Sequence, residues 1–181
     1  ISGIVNCPIS KETLFKGRNF GVTEYFSKKL NEKHNEVMLI FNKKLSVSPL
    51  TTHIPLKDVR KKINKQEIIK KVKIINDFYI KKLKFKPKIA ILGLNPHAYT
   101  ASIFSEEKKI IKPAIDKLKK MKINAFGPIS PDTVFTNYQS KKINIIFGMY
   151  HDQVLTGLKT LFKFEAINVT IGLKYIRVSP D

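Results

Sequence analysis

Tryptophan is absent from this chain of 181 residues, cysteine occurs once, and arginine occurs only at Arg18, Arg60 and Arg177. A lone Cys7 cannot close an internal disulfide and suits a reducing cytoplasm; within Ile4-Val5-Asn6-Cys7-Pro8-Ile9 it reads as a small buried hydrophobe. No apolar run approaches the roughly 18 residues needed to span a membrane. No basic, apolar, then small-residue pattern marks a secretory signal. Acidic side chains are also scarce, 14 against 34 lysines and arginines, which leaves a formal net charge of +20. Such an excess ordinarily points to nucleic acid or an anionic surface. Base reading and bidentate phosphate clamping favour arginine, however, and here the charge is lysine spread through 57–88 and 108–122 at helical apolar spacing. Those lysines belong on solvated helix faces, so a nucleic-acid-binding module is the weaker reading. Neither Gly-x-Gly-x-x-Gly nor a Walker-type loop is present, and any dinucleotide must be held some other way.

What is present is an alternation of strand-like and helix-like segments. The length suits one ordinary domain, and a 43% hydrophobic composition is globular. Residues 1–9 read as a buried strand and a loop, 19–33 as a loop running into a helix, and 36–41 with 45–50 as a hairpin turning at Asn42-Lys43-Lys44. A short helix ends near Asn64, and 66–83 carries Ile68, Ile69, Val72, Ile75 and Phe78 at helical spacing. Strand 89–94 follows, then a helix over 106–121 that Pro113 should kink or break. Strand and helix alternate from there on, the pattern of a parallel or mixed α/β sheet.

Three of the four histidines stand directly after such strands: His53 after Leu45–Leu50, His97 after Ile89–Leu94 and His151 after Ile143–Tyr150. Parallel strands end at one edge of an open α/β sheet, where ligands bind, so the three imidazoles could converge. Three imidazoles and one open position are what a catalytic Zn²⁺ uses. The competing reading is that each merely caps a turn. Asp132, in Gly127-Pro128-Ile129-Ser130-Pro131-Asp132-Thr133, and Asp152 are candidates for proton transfer or for orienting an imidazole. Lys159, Asn168 and Arg177 follow on successive elements, and Lys and Arg could anchor a phosphorylated substrate. A solvated Lys159 and an Arg177 held in a structural ion pair are the alternatives.

Taken in order, Thr51-Thr52-His53-Ile54-Pro55-Leu56-Lys57, Leu94-Asn95-Pro96-His97-Ala98, Gly127-Pro128 with Asp132-Thr133, Met149-Tyr150-His151-Asp152-Gln153, and Asn168-Val169-Thr170-Ile171-Gly172-Leu173 through Ile176-Arg177 to Ser179-Pro180-Asp181 closely resemble the 4-hydroxythreonine-4-phosphate dehydrogenase family of vitamin B6 biosynthesis. The resemblance implies a three-layer α/β/α, isocitrate-dehydrogenase-like fold with a mixed sheet. It implies a homodimer whose active site lies at the interface, a divalent metal (zinc first, magnesium or cobalt next) on His53, His97 and His151 with the third histidine from the partner subunit, and NAD or NADP. Substrate contacts fall on Thr23, Lys159, Asn168 and Arg177, with Asp132 and Asp152 lining the site. The implied reaction oxidises 4-phosphooxy-L-threonine at C3 and decarboxylates the 3-oxo acid to 3-amino-2-oxopropyl phosphate.

By the same resemblance the chain is one incomplete catalytic unit: about 16–155 is a central α/β domain, and 1–15 with 156–181 are parts of a second. It would lack a long N-terminal portion of the family and stop before a His-Gly-Thr-Ala segment. Four positions depart from the family pattern: Val22 stands for a substrate-binding histidine, Tyr99-Thr100 for Gly-Glu, and Val154 for glycine. These departures make an inactive remnant that keeps the fold the alternative to an active enzyme.

Overall fold

The computed structural model describes residues 35–99 and 102–180. Nearly all belong to the second of two units into which the chain divides, Val37–Asp181. The expected strand at 1–9, the helix within 19–33, Cys7, Val22, Thr23, Thr100 and Asp181 lie outside the described residues.

The expected hairpin forms from β1 (Val37–Phe41) and β2 (Ser46–Pro49), antiparallel with Ile40 opposite Val47. Its turn is closed by Asn42, whose Oδ1 accepts from the Lys44 amide at 2.8 Å, the local bond that suits asparagine to turns. Two helices follow, α1 (Leu56–Lys62) and α2 (Lys65–Phe78). Asn64 caps α2 by accepting from the Glu67 amide at 2.9 Å. A π turn, Tyr79–Leu83, continues α2 and ends at Lys84 in the left-handed region, φ 62°.

After β3 (Ile89–Leu92) come a 3₁₀ turn, Pro96–Ala98, and a second π turn, Glu107–Ile111, which runs into α3 (Lys112–Lys120). The break expected at Pro113 is that change of winding. A proline inside a helix lacks its N–H and crowds the carbonyl four residues back. Widening the turn before it relieves both. The chain then runs β4 (Ala125–Ile129), α4 (Pro131–Asn137), β5 (Ile145–Gly148), α5 (His151–Phe162), β6 (Ile167–Ile171) and β7 (Arg177–Pro180).

The seven strands form one mixed sheet in the order β4-β3-β5-β2-β1-β6-β7. The first four run parallel, and β1, β6 and β7 add three antiparallel pairings. One face packs Ile89, Ile91, Ile145 and Phe147 against α1, α2 and α3; the other packs Ala90, Leu92, Ile146 and Val47 against α4 and α5. Both faces of the parallel block are therefore covered, the condition under which parallel strands become continuous apolar runs. From β3 the chain moves outward to β4, and from β5 it leaves in the opposite sense toward β6. The gap between β3 and β5 at their carboxyl ends is thus a topological switch point, the usual place for a ligand in such a sheet. Among the described residues no helix is long and apolar enough to cross a membrane.

Candidate functional site

Strand order decides which post-strand residues meet. β5 lies between β3 and β2, so His151, the first residue of α5, stands beside the loop after β2. Its ring lies 5.6 Å from that of His53, centroid to centroid, at 42°. His97 follows β3, whose other neighbour is β4, and its Nδ1 lies 3.7 Å from Oδ2 of Asp132, in the first turn of α4. Within one chain His53 and His97 would be the neighbours if the partner subunit supplied His151. The structure pairs His53 with His151 instead, because β2 and β5 are hydrogen-bonded neighbours while β3 is one strand further away.

Each of two histidines has a carboxylate beside it. His151 Nδ1 sits 2.8 Å from Asp152 Oδ1, and an Nδ1–H donated there leaves the Nε2 lone pair free for a ligand. Asp132 Oδ1 accepts from the Ser130 hydroxyl at 2.5 Å. That bond first, and the nearby His97 second, hold its carboxyl below the usual carboxylate range, so Asp132 is an anion at neutral pH.

The loops are tied to one another by side chains to which the sequence alone assigns no role. The Thr51 hydroxyl donates to the Met149 carbonyl at 2.8 Å, joining the loops after β2 and β5. Gln153, buried, accepts from the Met149 amide at 2.6 Å and donates to the Gly93 carbonyl at 2.8 Å, which bridges the switch point. Glu107, fully buried, accepts through Oε1 from the amides of Leu94 and Asn95, both at 2.8 Å, and Oε2 accepts from Asn95 Nδ2 at 3.0 Å. Its neighbour Glu106 accepts from Asn95 Nδ2 at 3.1 Å and from Arg60 Nε of α1 at 2.5 Å. Burial pushes the Glu106 carboxyl up, but Arg60, Asn95 and a backbone amide outweigh it and leave the group below the usual range. An acid beside Lys108 and Lys109 looks solvated in sequence. The one available signal was that acids are rare here at all.

The loop so held is strained. His97 and Ala98 have φ of 56° and 49°, a left-handed conformation that costs a residue with a Cβ about 1–2 kcal/mol and that persists only where surroundings over-determine it. Gly93 allows the close approach: a Cβ there would come 2.7 Å from Ala98 Cα.

The described residues expected to contact substrate lie on other elements. Register places Asn168 opposite Ser179 and Thr170 opposite Arg177, so Asn168 and Arg177 share one face of β6 and β7. Arg177 Nη1 donates to Ser179 Oγ at 3.2 Å. Asn168 Oδ1 is buried with no hydrogen-bond partner among the described residues. Three strand spacings, about 14 Å, separate β7 from β2. Lys159 lies eight residues after His151 in α5, about 12 Å along the axis, with its Nζ 5.6 Å from the Phe164 ring centroid. Of the departures, Val154 is wholly buried in the core and packs against Gly148. Tyr99 is half exposed and adopts φ −48°, which asks nothing of glycine.

Among the described residues no three His, Cys, Asp or Glu side chains converge closely enough to hold a metal ion. Two of the needed positions fit: imidazoles sharing a tetrahedral ion at Zn–N of about 2.1 Å stand about 5 Å apart between centroids, against the 5.6 Å of His53 and His151. Among the described residues of one chain the third does not form.

Comparison with known proteins gives this arrangement a context. A family model described as "Pyridoxal phosphate biosynthetic protein PdxA" matches residues 1–181. A 4-hydroxythreonine-4-phosphate dehydrogenase of Sulfurihydrogenibium sp. is 44% identical over 98% of this chain and 56% of its own. A D-threonate 4-phosphate dehydrogenase of Pectobacterium atrosepticum is 32% identical over 100% of this chain and 56% of its own. The crystal structure of a 4-hydroxythreonine-4-phosphate dehydrogenase from Klebsiella pneumoniae superposes with a TM-score of 0.83 at 32% identity, covering 97% of this chain and 54% of that one. This chain thus spans about half the length of the relatives it matches.

Proposed function

The chain belongs to the PdxA family of pyridoxal phosphate biosynthetic proteins, and from that premise we propose that its carboxyl edge is half of a dehydrogenase active site. The reaction proposed is NAD- or NADP-dependent, metal-assisted oxidation and decarboxylation of 4-phosphooxy-L-threonine. The observation that carries it is the approach of His53 to His151 with Asp152 behind, on the same sheet edge as the separate pair of His97 and the ionised Asp132. His53, His97 and His151 would hold the divalent ion, zinc by preference. Since one chain assembles only two of these, a second subunit is proposed to complete the set in a homodimer.

When bound, such an ion supplies Lewis-acid polarisation of a substrate hydroxyl and of the ketone formed from it. The protein's own groups do the rest. Asp152 fixes the His151 tautomer, which keeps Nε2 a lone-pair donor. Asp132, kept anionic by Ser130, can accept a proton from a hydroxyl presented beside His97. Arg177 and Lys159 are proposed to hold the phosphate, so that a remote group positions the reacting carbon. Asn168 Oδ1, a buried acceptor, suits a substrate ammonium or hydroxyl. Thr23 is proposed as a further contact.

Incubating the full chain with zinc, NAD and 4-phosphooxy-L-threonine should release CO₂ in step with NADH absorbance. A D-threonate 4-phosphate arm tests the other substrate class borne in a relative's name. Zinc binding with neither turnover would favour the inactive remnant. For the phosphate, Arg177→Ala should weaken binding of a phosphothreonine-type ligand at least about tenfold by calorimetry, since a lost charged contact costs about 1.5–3 kcal/mol. Equal affinities would reduce Arg177 to its contact with Ser179.

A further inference from the structure

The buried Glu107 has no part in the chemistry proposed above, yet it is the most heavily bonded side chain near the switch point. Two consecutive amides, those of Leu94 and Asn95, and the Asn95 side chain all donate to it. Past Pro96 the backbone enters the left-handed pair His97 and Ala98, and His97 then faces Asp132 across 3.7 Å. A carboxylate can accept from three donors at once, where a neutral amide must also place its own two N–H groups. From this geometry we infer that Glu107 is the positioning residue for His97: its anion pins Leu94 and Asn95, the pinned turn forces the left-handed step, and that step aims the imidazole. Glu106 accepts from the same asparagine and, through its other oxygen, from Arg60, so α1, which follows the His53 loop, and the His97 loop are tied through that carboxylate.

That His97 is aimed at a metal rests on the function proposed above; that Glu107 aims it does not. The substitution to test is Glu107→Gln, which keeps the shape but sets an amide N–H₂ against Asn95 Nδ2. In the full chain, zinc affinity from a chelator competition should fall at least about tenfold. In the metal-free protein, the ¹H–¹³C signal of the His97 ring should shift while those of His53 and His151 hold. A residue that only stabilised the fold would lower Tm without moving His97 selectively. Glu107→Asp, which restores the charge, should recover part of both effects. Asn95→Ala provides the second route where Glu107→Gln does not fold, since it removes the side-chain bonds and leaves the carboxylate in place. An unmoved His97 signal in the variant that folds overturns the positioning role. Unchanged zinc affinity in His97→Ala sinks the metal reading alone and leaves the ring signal to judge Glu107.

Discussion

His151→Ala should cut the zinc affinity of the full chain by more than about 100-fold, because loss of a residue that merely orients a ligand already costs about 10–100-fold. Asp152→Asn should fall within that smaller range, by releasing the ring whose Nδ1 it meets at 2.8 Å. The two variants thus rank: losing the imidazole must cost more than loosening it. Zinc alone, titrated against a competing chelator, is the probe. Undiminished stoichiometric binding by the alanine variant would end the metal assignment. Weaker binding by Asp152→Asn than by His151→Ala would show that Asp152, and not His151, is the ligand.

The second large effect concerns stability. Gln153→Ala should destabilise the chain by about 3 kcal/mol in urea unfolding, since it strands a buried Met149 amide and a buried Gly93 carbonyl, each worth about 1–3 kcal/mol when left unpaired. Against a typical total of about 5–15 kcal/mol that is a large share. The effect should not stay local, because Gln153 bridges the loops that carry His97 and His151. A loss below about 1 kcal/mol would mean that water replaces the amide, and that the bridge holds nothing.

The parallel edge was legible because its signal is local. Apolar runs alternating with helical spacing imply parallel strands, and residues just past such runs must share an edge, as His53, His97, Asp132 and His151 do. Which of them touch was not legible. Pairing order depends on where each crossover sets its strand, and nothing within Ile89–Leu92 records that it sits beside β5 and not beside β2. The motif match, which follows chain order, could not supply it either. Asp152 is readable from adjacency in sequence, whereas nothing beside Gln153 in sequence marks it as a bridge between two loops. Glu107 lay hidden for another reason: a side chain's burial is a tertiary property, and its neighbours are lysines that point to solvent.

The π turn over Glu107–Ile111 also says something about how freely this segment can change in length. A π turn carries one residue more than the α turn it replaces, so deleting Lys108 or Lys109 would let the segment relax into ordinary helix with no gap to close. Because the wide turn takes up the extra residue, the flanks would keep nearly their present angle about the axis and Glu107 its place before Leu94 and Asn95, whereas the same deletion within Lys112–Lys120 would turn everything on one side of it by about 100°. A one-residue gap is therefore benign here and ruinous in the helix that follows. Alignments of relatives should place a one-residue gap within 107–111 before placing it within Lys112–Lys120.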